Sequence, residues 1–246
     1  MYTSFIGKKF LSAWNTKVGK GLTARQFFDE IMFKDFFDSE LHMLQVLNSK
    51  FVNPSVKGTN QEKLQMLHGQ IAEAVAANRA DASFFVGYGA AEVKAGTSGQ
   101  LTSMAIQLEE QEIYASWIGA ALALGFEGGV CLLTDREELL WKIFEGWKAY
   151  RKFLNGTPII KGRQIETWNG VWITHLANGG DPKGCVPKTE EKVDEKKGKY
   201  VLIKTIGWTK VIFALCKQFP DEILTTYSYK LGKSNETLGF LNLHLP

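Results

Sequence analysis

The chain is short of the residues that build metal and disulfide chemistry. It has three cysteines, Cys131, Cys185 and Cys216, which are far apart and odd in number. No two of them form a Cys-x-x-Cys pair, so neither a zinc knuckle nor a thiol redox motif is available. With no disulfide framework, the natural setting is a reducing compartment. Histidine is equally sparse. His42, His68, His175 and His244 each stand away from any other histidine, cysteine or acid at metal-ligand spacing.

Long apolar runs are missing too. The most apolar stretch, from Trp117 to Leu133, is broken by Gly119, Gly125, Glu127, Gly128 and Gly129, so it cannot span a bilayer as one helix. The segment from Met1 to Lys9 has no basic region followed by an apolar one, as a secretory signal would. The expectation is a cytoplasmic protein without a membrane partner. Charge of neither sign prevails. Twenty-nine basic residues against 26 acidic ones leave a net charge of +3, which permits nucleic-acid binding without demanding it.

What is present is the material of a core. Of 246 residues, 45% are hydrophobic, enough to fold without disulfides or a structural metal. Aromatic residues reach 12%, with seven tryptophans, and most of these belong inside because aromatics bury the largest area per residue.

The first eighty residues carry helical periodicity. Ile6, Phe10, Trp14 and Val18 form one stripe, which Gly19 and Gly21 end. Thr23 with Gln26 and Thr59 with Glu62 are capping boxes, each opening a helix. Between them, Ser39 is placed to cap a helix through Leu41, Leu44 and Leu47. From Ser83 the pattern changes. Strands are expected over 83–88 and 101–108. A helix follows through Ile113, Trp117, Ala121 and Leu124, with Gly125 as its stop. Val130 to Leu133 reads as a strand, and Thr134 with Glu137 opens a helix through Leu140, Ile143, Phe144, Trp147 and Leu154. The stretch 165–176 suits a helix except for Gly170. Lys183 to Lys199 is nearly all charged and reads as an exposed insertion. A strand at 200–206, a helix at 209–219 and a C-terminal hairpin complete the chain. The expected class is α+β, an irregular α/β arrangement. A helical N-terminal region over 1–82 precedes an α/β core region over 83–246, with the charged insertion at 183–199.

Short motifs mostly fail on spacing. Gly87-Tyr88-Gly89 lacks the third glycine of a dinucleotide fingerprint. Gly232-Lys233-Ser234 lacks the P-loop glycine, because Tyr227 stands in its place. Gly96-Thr97-Ser98-Gly99 has the wrong spacing for a nucleophile elbow.

Three functional readings remain. The leading one is a nucleic-acid-binding protein, in the setting of a prokaryotic nucleic-acid-handling or defence assembly with protein partners. Lys142, Lys148, Arg151, Lys152, Lys161 and Arg163 face only Glu145 over that stretch, and Tyr150 and Phe153 interleave with them. Cations that follow phosphates beside aromatics that stack on bases are the equipment for such a task. These residues are expected to form one exposed basic surface. The second reading is a metal-dependent nuclease built on Asp81, Glu92 and Lys94. There Asp81 and Glu92 would share Mg²⁺, and Lys94 would steady the attacking water or the phosphate. The third is a small-molecule enzyme or binding protein using the Gly-rich loop over 87–99.

Overall fold

A computed structural model of the chain describes residues 1–87, 107–162, 164–194, 198–230 and 236–246. The fold is α+β. Its helices are α1 (Tyr2–Val18), α2 (Ala24–Phe27), α3 (Asn60–Ala77), α4 (Glu110–Ala120), α5 (Glu137–Gly156), α6 (Ile165–Ala177) and α7 (Trp208–Gln218). The chain leaves α2 directly into a wide π-helical stretch, Phe28–Phe37. Strands β1 (Leu124–Phe126), β2 (Val130–Thr134), β6 (Ile223–Lys230) and β7 (Glu236–His244) form an antiparallel sheet in that order. A smaller sheet places β5 (Gly198–Ile203) between β3 (Ile160–Gly162) and β4 (Thr189–Asp194). β4 and β5 are antiparallel, whereas β3 runs parallel to β5.

Two helix starts follow their capping boxes, whereas α5 opens at Glu137 with Arg136 as an uncapped N-cap and Thr134 held in β2. Thr23 and Thr59 each accept a backbone N–H from the residue three places on, Gln26 and Glu62, whose side chains reach back to the threonine N–H. These reciprocal bonds satisfy donors that the first turn leaves without a partner. Gly19 ends α1 in the left-handed conformation, as its position promised.

One continuous apolar core runs through the molecule and draws on both sides of residue 82. Phe10 of α1 and Phe36 of the π-helical stretch both lie against Trp147 of α5. Phe28 and Phe37 pack edge-on to Trp117 of α4. The closest approach joins α1 to α4. A Cβ built on Gly7 would stand 1.9 Å from the carbonyl oxygen of Ala115, and one on Gly119 would stand 1.9 Å from that of Thr3. Ser4 fastens the same crossing by donating to the carbonyl of Glu112, 108 positions away.

Several segments depart from their expected form. The helix expected from Ser39 does not form. There the backbone pairs across the fold instead: Met43 N–H donates to Phe36, Ile165 N–H donates to Met43, and Arg151 of α5 takes the Leu41 carbonyl and the Ser39 hydroxyl. Residues 83–87 are a turn rather than a strand, because Phe84 and Phe85 both donate to the Asp81 carbonyl. Of the strand expected over 101–108, positions 101–106 lie outside the described residues, and 107–108 are not in a strand. Gly125 does not stop a helix. α4 ends at Ala120, and Gly125 sits in β1, where a Cβ would meet the Glu166 backbone at 2.8 Å. Gly170 does not weaken α6. It lets that helix lie against β1, with the Gly125 oxygen 2.2 Å from where its Cβ would be. The charged insertion contains a strand, β4, whose every residue pairs with β5. Alternate side chains need no burial when both faces of a hairpin meet water, so the charge-rich composition hid the pairing.

Candidate nucleic-acid interface

The basic residues expected along α5 do not form one exposed surface. Lys142 is held by Glu138, one helical turn earlier, at 2.8 Å and by Gln218 at 3.0 Å. Arg151 is turned inward. Its side chain is 13% exposed, and it donates to the Leu41 carbonyl at 2.7 Å and to the Ser39 hydroxyl, with Asp38 at 3.3 Å. The segment that failed to become a helix is what covers it. Lys148 and Lys152 are exposed, as the apolar stripe of α5 requires. Lys148 shares its surroundings with Asp35, whose pKa is raised because burial outweighs the pull of Lys148, Arg151 and Lys34. Lys161 has its backbone in β3, and Arg163 lies outside the described residues. Of the aromatics expected beside the cations, Tyr150 is buried in the core and Phe153 is half-buried against it. Tyr150 stacks on Trp168 at 4.8 Å and Phe153 on the same ring at 5.7 Å.

Of the nuclease residues, Glu92 and Lys94 lie outside the described residues, as does positions 88–99 of the Gly-rich loop. Asp81 caps its own turn, its carboxylate accepting the Ser83 N–H at 2.7 Å. Among the described residues, no group of three or more histidines, cysteines or acids is placed to hold a metal ion. Among them too, no helix is long and apolar enough to cross a membrane.

Lysines do converge, at another place. A cleft of about 1050 Å³ opens between α6, α7 and the chain entering and leaving the small sheet. Its α6 wall is the stripe Val171, Thr174 and His175, at the spacing that puts residues on one helix face, continued by Asn178 just past the helix end. Its α7 wall is Lys210, Phe213, Ala214 and Lys217, which share a face for the same reason. Lys188 and Lys204 come from opposite sides of the hairpin, and Lys204 N–H donates to the Lys188 carbonyl at 2.8 Å, so the two are neighbours. Among the described residues, Glu127 is the one acidic side chain of the lining. Its N–H donates to the Ile206 carbonyl at 2.9 Å, which ties the run 204–207 to the turn between β1 and β2.

Local bonds fix the polar groups of the cleft. Thr174 donates back to Gly170, and Asn178 donates back to Thr174, each at 2.9 Å. The Asn178 side-chain oxygen accepts the Lys217 ammonium at 2.6 Å. His175 Nε2 lies 2.8 Å from the Asp181 carbonyl oxygen, so that nitrogen carries a proton. All four lysines are exposed, and among the described residues none is in an ion pair. Four ammonium groups in a concave site raise the local concentration of anions more than the same charges on a flat surface. The first turn of α7 opens beside them at Gly207 without a side-chain cap, and its N–H groups add to the positive potential.

The sequence hid this site because its cations are dispersed. Lys188, Lys204, Lys210 and Lys217 span 30 positions and sit among acids at the near end. One signal was legible. Lys210 and Lys217 are seven apart in a stretch with helical periodicity, which puts them on one face.

Comparison of the chain with known protein families, with curated proteins and with solved structures gives no match. The functional reading therefore rests on the site.

Proposed function

We propose that the chain binds nucleic acid, with the phosphate backbone held along the cleft between α6 and α7. One observation carries this reading: Lys188, Lys204, Lys210 and Lys217 come from three parts of the fold to line one concave surface whose described lining holds one acidic side chain, Glu127. Phosphates are the ligands for which several ammonium groups outside ion pairs are useful together, since each contact releases condensed counterions. The α5 surface is the weaker candidate, because Arg151 and Lys142 are already held by the protein.

The test is fluorescence anisotropy of a labelled oligonucleotide, single-stranded and as a duplex, titrated with the full chain at low salt. Lys210→Glu with Lys217→Glu should abolish binding, whereas Lys148→Glu with Lys152→Glu should leave most of it. Loss in the second variant with retention in the first would move the interface to α5. Failure of the native chain to bind either oligonucleotide would reject the reading altogether.

A further inference from the structure

We infer that the ligand of this cleft is single-stranded nucleic acid, one base of which stacks on Phe213; this rests on the reading of the cleft as a phosphate site. Phe213 is 67% exposed. It lines the cleft between Lys210 and Lys217 on the same face of α7. The two lysines are seven residues apart, which places them about 10 Å apart along the helix axis at about 1.5 Å per residue. An aromatic ring left in water between two cations has no packing purpose. Val211 and Leu215, buried on the helix, already supply the face that meets the core. Trp208 is also exposed, but it lies on the opposite side of α7 and is not part of the cleft lining.

The chemistry separates single strands from duplexes. In a duplex, both faces of each base are taken by neighbouring bases, and only phosphates and groove edges are offered to a protein. A single strand can turn a base out and lay its π-face on an aromatic ring while its phosphates reach the flanking ammonium groups. Stacking of this kind tolerates any base, because every base has a π-face. Lys210, Phe213 and Lys217 thus present cation, ring and cation along one line, and Val186, also exposed, adds apolar surface to the lining. Neither contact reads sequence, so the expected ligand is a single strand of any sequence.

The experiment compares Phe213→Ala, Phe213→Tyr and the Lys210→Gln, Lys217→Gln double variant in the full chain, using labelled oligothymidylate and a duplex of equal length. Phe213 is exposed, so its replacement should leave the melting temperature unchanged. Phe213→Ala should weaken the single strand about tenfold and leave duplex affinity unchanged, and Phe213→Tyr should restore the single-strand value. The lysine variant should weaken both ligands. If the lysine variant weakens binding but Phe213→Ala does not, or if Phe213→Ala weakens both ligands equally, stacking on Phe213 is overturned and the phosphate site stands. If the lysine variant changes neither affinity, the site itself is misplaced and the inference falls with it.

Discussion

Gly7 of α1 and Gly119 of α4 face one another so closely that the Cβ each lacks would stand 3.0 Å from the other's backbone nitrogen. At this crossing two helix backbones meet with no side chain between them. Alanine at either position would drive a methyl group into a carbonyl oxygen of the opposite helix, and rotamer change cannot relieve a Cβ contact. Gly7→Ala and Gly119→Ala should each cost about 3 kcal/mol or more in denaturant unfolding. Gly69 in α3 is the control. It has nothing within 4 Å of its Cβ position, so Gly69→Ala should stabilise by roughly 0.5–1 kcal/mol through helix propensity alone.

Arg151 separates structure from binding. Its guanidinium ties α5 to the segment around Leu41. Arg151→Ala should lower stability by about 2 kcal/mol, because a carbonyl and a hydroxyl lose a charged donor. Arg151→Lys should recover only part of this, since an ammonium cannot serve several acceptors with the planar fork of a guanidinium. Oligonucleotide affinity of the folded variants should not change. A loss of affinity without a loss of stability would restore Arg151 to the interface.

Glu166 makes stability depend on pH. It is buried at the start of α6, and burial pushes its pKa up to about 7. Cys131 and Tyr229 lie near it and are themselves held protonated, first by burial. The folded pKa is raised above the unfolded value of 4.5, so the folded chain binds the extra proton between those two values. Stability from this group is full below about 4.5, declines as pH rises, and is gone above about 7. Glu166→Gln cannot ionise. Its stability relative to the native chain should therefore climb across that window by roughly 3 kcal/mol, at about 1.36 kcal/mol for each pH unit between the two pKa values. Urea midpoints of both chains from pH 4.5 to 8 would measure it. A difference that stays flat with pH would show that Glu166 is ionised in the fold.

Salt should report the lysines directly. If Lys210 and Lys217 each hold one phosphate of a single strand, replacing both with glutamine should flatten the log–log salt slope by about 1.4. An unchanged slope would mean that the two ammonium groups touch no phosphate.

The sequence made the helices legible wherever local signals and burial agreed. The two capping boxes and the apolar stripe of α5 are set by neighbours a few residues apart, and each stands where its pattern put it. It misled where a distant partner overrode the local pattern. The segment from Ser39 to Leu47 has apolar spacing fit for a helix, yet its backbone groups are claimed by Phe36, Ile165 and Arg151. Gly125 and Gly170 looked like punctuation, but each is small because the other element passes against it. The cleft was illegible for a related reason. Its charge comes from positions whose nearness depends on the pairing of β4 with β5 and on the packing of α6 against α7. Counting charge within a window favoured α5, where the cations are adjacent in sequence and partly spent on the protein itself.

The seating of α1 on α4 also sets an order of events during synthesis. Ser4 finds its acceptor on Glu112 only after 108 further residues have been joined. At about 5–20 residues per second, the first helix waits on the order of 5 to 20 s before its partner leaves the ribosome. Throughout that interval Phe10 can already meet Phe27, but the bare backbone at Gly7 has no native surface to rest on until α4 has been made.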